Sequence, residues 1–166
     1  EIRDLVFDQV TRLRALGPVR HVKPHGALYN LAARDGTIAR AIVDAIYEID
    51  PSLVLFGLAG SEMIAVADAC GIPVASEVFA DRTYQADGSL APRSQPNALI
   101  TDEAAAVAQA LRMVREGKVR AVDGTEVLIR ADTICLHGDG PHAVAFARKL
   151  RDAFRAGGIE VRAFVP

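Results

Sequence analysis

Leu53-Val54-Leu55-Phe56-Gly57-Leu58-Ala59-Gly60-Ser61 is an unbroken apolar run, then a turn bounded by glycines, then a hydroxyl residue suited to capping a helix. The run from Leu53 to Phe56 lacks the alternation of a half-exposed strand and is too short for a helix. It fits a parallel strand covered on both faces. Its neighbours agree. Before it, Ile38, Ile42, Ala45, Ile46 and Ile49 recur at helical spacing over residues 36–49, and Pro51 stops the helix. After it, Ser61 caps a helix that Gly71 ends, and residues 72–78 form the next strand.

The same alternation extends to both ends of the chain. Ile2, Leu5, Val6, Val10 and Leu13 line a first helix stopped by Gly17-Pro18, and residues 19–22 form a short strand broken by Pro24. Residues 79–100 show no period, and a loop of that length in a compact fold is usually functional or disordered. Its Arg, Asp, Tyr and Gly content favours function. Thr101 caps a helix that carries Asp102 and Glu103 in its first turn, where anions suit the helix dipole, and Gly117 closes it. Residues 119–130 read as a hairpin around Asp123-Gly124. A strand over 132–136, a helix over 141–156 ended by Gly157-Gly158, and a last strand over 159–165 complete the series. Strand and helix in alternation imply parallel pairing with right-handed crossovers, in an open doubly wound sheet or part of a closed barrel. Pattern alone leaves both open.

Composition narrows the classes. The 166 residues are 51% hydrophobic, rich in alanine and valine, with no tryptophan and 5% aromatics, which suits helices packed closely on buried strands. That is one domain, 1–166, with a real core, and not a disordered chain. The formal charge of −2 and scattered basic residues give no field for nucleic acid or an anionic membrane. No apolar stretch approaches the roughly 18 residues of a spanning helix. Cys70 and Cys135 have no metal or redox spacing, and reduced thiols in the cytoplasm are expected. Glu1 heads an amphipathic helix, so the chain is expected to be a piece of something longer.

In parallel α/β folds ligands gather where strands end. Lys23-Pro24-His25-Gly26-Ala27-Leu28-Tyr29-Asn30 follows the first strand. Glu77 to Tyr84, then Asp87-Gly88 and Arg93, follow the third. His137-Gly138-Asp139-Gly140-Pro141 follows the strand ending at Leu136. Titratable groups at three strand ends on one rim are what a catalytic pocket requires. Taken singly, each has a plainer reading. Lys23 is a solvated loop residue, His25 a turn residue, Asp81-Arg82 a surface pair and Asp139 a helix cap; Tyr29 and Tyr84 pack at loop edges. His21 and His142 are structural. The Gly57–Ser61 turn offers amides to an anion but lacks the lysine of a P-loop.

Three segments carry a resemblance. Val22 to Asn30 resembles a VKPHGALYN signature. Glu77 to Tyr84, with Asp87-Gly88, Leu90 and Arg93, resembles an EVFADRxYxxDGxLxxR block. Ile134 to Asp139, with Pro141 and Ala143-Val144, is similar to an ICVHGDxPxAV block. All three belong to the LamB/YcsF family, that of the 5-oxoprolinase A subunits, in matching order and spacing along essentially the whole chain. Asn97-Ala98 stands where the family usually has Gly-Ala; asparagine tolerates a left-handed backbone there. The family's acidic DLNxDxGE opening and its ANxACGFHAGD and GAHPSYPD segments have no counterpart here, so the resemblance leads us to expect that the chain corresponds to the C-terminal two thirds of the family domain.

The resemblance implies an α/β fold, an incomplete seven-stranded β/α (TIM-like) barrel of the glycoside hydrolase/deacetylase type, mostly parallel strands plus one hairpin. It implies ATP-dependent opening of the 5-oxoproline lactam to glutamate, together with subunits B and C. ATP is a co-substrate of that complex, and a divalent metal and a homo-oligomer are left open. Lys23 would stabilise developing negative charge. His25 or His137 would act as base, oriented by Asp139 or Asp81, with Glu77 a second acid–base group. Arg82 or Arg93 would clamp the substrate carboxylate, and Asn30 and Tyr84 would line its site. The alternative is a metal-dependent deacetylase-type amidohydrolase that needs no ATP and is lost on chelation. A third class is a scaffold that binds another subunit through unpaired strand edges.

Overall fold

The computed structural model describes residues 1–138 and 143–163. The chain divides into two compact units, residues 1–76 and residues 77 onward.

In the first unit, α1 (Ile2–Leu16) buries Val6 and Val10. Its Arg14 Nη1 donates to Ile49 O at 3.0 Å, and Arg3 pairs with Glu48. Both bonds join α1 to α3 (Gly36–Ile49), whose Ala39, Ile42, Val43, Ala45 and Ile46 are fully buried. Asp35 caps α3, its carboxylate accepting from the amides of Thr37 and Ile38. Strand β1 (His21–Val22) runs parallel to β2 (Val54–Leu58), pairing His21 with Val54 and Val22 with Leu55. Burial of β2 on both faces is what its apolar run requires. Gly57 lets α4 (Glu62–Ala69) sit directly on the strand, because a Cβ there would lie 3.1 Å from that of Met63.

One element is not anticipated by the sequence pattern, and one expectation is corrected. Residues 26–32 form a short helix, α2 (Gly26–Ala32), held by buried Tyr29 and Ala32. Seven residues are too few to be helical alone, so no strong period marks them. Ser61 does not cap α4 with its side chain: its carbonyl accepts from Ile64 and Ala65, and its buried hydroxyl has no partner among the described residues.

The chain passes into the second unit within β3 (Val74–Phe79). There β3 pairs in parallel with β6 (Thr133–Cys135), with Glu77 opposite Thr133, Val78 opposite Ile134 and Phe79 opposite Cys135. Between them lie α5 (Glu103–Glu116) and the antiparallel hairpin of β4 (Lys118–Arg120) and β5 (Glu126–Leu128). The last helix is α6 (Ala143–Ala156). Ala80, Ala106 and Ala110 pack with Phe146, Leu150 and Phe154, small residues on α5 leaving room for the rings of α6.

The cap of α5 is Asp102 and not Thr101. Its carboxylate accepts from Ala104 N at 2.8 Å and Ala105 N at 3.4 Å, a charge-assisted bond that a hydroxyl cannot match. Gly117 ends the helix at φ +61°, a left-handed conformation suited to glycine. Residues 159–163 form no strand. Ile159 N instead closes α6 on Phe154 O, and these residues have no ladder partner among the described residues. Replacing Asp102 with Ala removes two capping bonds and lowers stability by about 1 kcal/mol in denaturant unfolding; an unchanged midpoint contradicts that role.

Candidate active site

Three of the sequence-selected residues meet in the second unit. Asp81 lies two positions beyond Phe79, and His137 two beyond Cys135. The register pairs Phe79 with Cys135, so the two residues leave adjacent parallel strands at the same height. The Asp81 carboxylate faces His137 Nδ1 with both oxygens, at 2.8 and 3.0 Å. Arg93 Nη2 lies 2.7 Å from His137 Nε2. The imidazole also tilts against the Phe79 ring, with centroids 5.9 Å apart. Side-chain exposure is 14% for Asp81 and 23% for His137, so the pair is shielded but reachable.

The partners dictate the tautomer. A guanidinium only donates, so Nε2 must be the accepting nitrogen, and the proton sits on Nδ1 and is donated to Asp81. Burial pushes the Asp81 carboxyl up, but the hydrogen bond from His137, the charge that ring carries when protonated, and backbone donors outweigh it and hold it below its ordinary value. The carboxylate therefore fixes the ring and stabilises a positive charge on it, as in hydrolytic Asp–His pairs.

Arg82 and Tyr84 face the other way, into the loop. Arg82 is buried, donating through Nε to Ala98 O at 3.2 Å and through Nη2 to Ala91 O at 2.6 Å. Tyr84 is fully buried, and its hydroxyl accepts from Phe79 N at 2.7 Å. Burial pushes the Tyr84 phenol well up, so it stays neutral. Glu77 is 2% exposed on β3. Asn97 does not take the left-handed backbone. It supplies its carbonyl to Thr83 Oγ1 at 2.9 Å, which any residue could do.

Gln109 carried no signal in the sequence, sitting mid-helix among alanines. Its Nε2 lies 2.9–3.2 Å from the carbonyls of Phe79, Ala80 and Arg82 and ties α5 to the turn bearing Asp81. Only spatial placement reveals it.

In the first unit, Lys23 and His25 are exposed at the start of α2. Lys23 Nζ lies 5.8 Å from the centre of the Tyr29 ring. His25 occupies the N-cap position without a side-chain capping bond, and Asn30 Nδ2 donates to Gly26 O at 3.0 Å. In the Gly57–Ser61 turn the amides of Ser61 and Glu62 already bond Leu58 O and Ala33 O, leaving little for an anion. Asp139 lies outside the described residues. Among the described residues no cluster of three or more His, Cys, Asp and Glu is arranged to hold a metal, and no helix is long and apolar enough to cross a membrane.

The LamB/YcsF family matches residues 1–166. The chain belongs to the LamB/YcsF family. The A subunit of 5-oxoprolinase from Geobacillus kaustophilus is 58% identical over 147 residues, 89% of this chain and 57% of that protein. Those of Shouchella clausii and Bacillus subtilis are 56% and 52% identical, covering 96% and 98% of this chain and 65% of each relative. The chain thus spans 57–65% of the length of these curated relatives. The crystal structure of the lactam utilization protein from Thermus thermophilus superposes with a TM-score of 0.90 at 47% identity, covering 99% of this chain and 67% of that one. The α/β fold is therefore that of the LamB/YcsF proteins.

Two measurements probe this LamB/YcsF site. Gln109→Leu strands carbonyls at the Asp81 turn and costs about 1–3 kcal/mol in denaturant unfolding; no loss refutes the tie. Because the folded value of Asp81 is depressed, its contribution is complete above about pH 3.9, the unfolded carboxylate value, and is lost as pH falls through the folded one. Asp81→Asn flattens that part of the acid limb of Tm against pH, and an unaltered limb rules the linkage out.

Proposed function

We propose that this chain is part of the A subunit of an ATP-dependent 5-oxoprolinase, which opens the 5-oxo-L-proline lactam to L-glutamate together with subunits B and C. The observation that carries this reading is the Asp81–His137 pair at adjacent strand ends, in a chain 58% identical to a 5-oxoprolinase A subunit. A cytoplasmic location fits Cys70 and Cys135 as reduced thiols that form no disulfide.

Amide resonance makes an unstrained lactam a poor electrophile. Transfer of the γ-phosphoryl group of ATP to the lactam oxygen releases ADP and activates the ring carbon. Water then adds to that carbon, and His137 Nε2 takes its proton while Asp81 supports the imidazolium. Cleavage of the C–N bond, with a proton delivered to the nitrogen, gives an acyl phosphate. A second water converts this to the carboxylate and inorganic phosphate. Expelling phosphate first would only restore the lactam, so protonation of the nitrogen decides the outcome. The same histidine returns that proton. The sequence contains no P-loop, and ATP binding is assigned to the assembled complex.

Glutamate release by the full-length protein with subunits B and C tests the assignment. His137→Ala is expected to lower turnover by about 10²–10⁴-fold, the usual worth of acid–base catalysis. Unchanged turnover removes His137 from the chemistry. If His25→Ala alone is inactive, the base is His25.

A further inference from the structure

We propose that Arg93 is a carboxylate-operated cover on His137: the anionic group of the substrate draws its guanidinium away and so exposes the base. The idea rests on the 5-oxoprolinase reading and adds to it a cause for substrate selection.

The nitrogen that must accept a proton is already in use. With Arg93 Nη2 2.7 Å away, the Nε2 lone pair is held by a permanent cation, and protonating it there would set imidazolium against guanidinium. In this arrangement His137 is well oriented and inactive.

Arg93 is also poorly matched to what it holds. Its planar fork suits a carboxylate, which it binds through two parallel charge-assisted bonds, whereas imidazole takes one. Among the described residues Arg93 forms no ion pair and has no other side-chain hydrogen bond. A second guanidinium is close by: after burial, the charge of Arg93 is the main influence lowering Arg82. Two cations with one locked inside the loop favour an incoming anion at the other.

The loop allows the exchange. Buried Arg82 holds Ala91 O and Ala98 O, and Ala91 N donates to Thr83 O at 3.0 Å. Between these anchors residues 92–97 are all exposed. The side chain of Arg93 is thus free to swing from imidazole to ligand without disturbing Asp81 or His137. A lactam that lacks the carboxylate leaves the cover in place and meets a blocked base.

The test compares 5-oxo-L-proline with 2-pyrrolidinone, the same ring without the carboxylate, in the assembled full-length enzyme. In the wild type, 5-oxo-L-proline is turned over and 2-pyrrolidinone is not. Arg93→Ala is expected to lose about 10–100-fold in kcat/KM for 5-oxo-L-proline, mainly through KM, and to gain turnover of 2-pyrrolidinone as Nε2 is uncovered. Arg93→Lys, charged but without the fork, is expected not to restore discrimination. In the wild-type protein labelled with ¹⁵N histidine, 5-oxo-L-proline shifts the Nε2 resonance of His137 and 2-pyrrolidinone does not, a measurement that needs no variant to fold. Turnover of 5-oxo-L-proline with an unmoved Nε2 resonance, or intact discrimination in Arg93→Ala, overturns the cover and leaves the 5-oxoprolinase reading standing. Absence of glutamate formation by the wild-type complex overturns that reading, and the cover with it.

Discussion

The second unit is organised around the parallel register of β3 and β6, because that register brings an aspartate and a histidine 56 positions apart in sequence into hydrogen-bonding contact. Side chains alternate along a strand, so a slip of one residue would turn one partner to the opposite face. With Phe79 opposite Cys135, the chain leaves both strands in step, and Asp81 meets His137 with both carboxylate oxygens. The chemistry available to the site follows from this contact: an oriented ring, a proton on Nδ1 and a basic nitrogen on the far side.

Charge in this region is divided between groups that build and groups that remain available. Alternation after β3 sends Arg82 and Tyr84 inward and Asp81 toward the histidine. Each inward group finds backbone partners: Arg82 bonds two carbonyls across the loop, and the Tyr84 hydroxyl accepts the Phe79 amide. A buried guanidinium is tolerable only with such bonds, and in return it closes a loop that has no regular structure of its own. Gln109 does the same from the helix side. The outcome is a long loop with a fixed base and an exposed stretch that presents Arg93.

Much of this was legible in the residues. The apolar run at Leu53–Phe56 marked β2, the spacing of Ile42, Ala45 and Ile46 marked the buried face of α3, and Asp123-Gly124 marked the hairpin. Asp81, Arg93 and His137 were all selected as strand-end groups. The misses have local causes. The short α2 depends on burial of Tyr29 and Ala32 and not on a period, and Asp102 displaced Thr101 because a carboxylate bonds amides more strongly than a hydroxyl does.

By itself the sequence determined the succession of elements, the parallel α/β class and the family, since periodicity and motif are local properties carried by neighbouring residues. Only tertiary structure separated Arg82 from Arg93 and Tyr84 from the groups around His137. Two arginines eleven positions apart look alike in a motif; one is buried against carbonyls and the other is exposed on an imidazole. That difference depends on which face of the loop turns inward, and strand register and packing set it across distances in the chain that no local pattern spans.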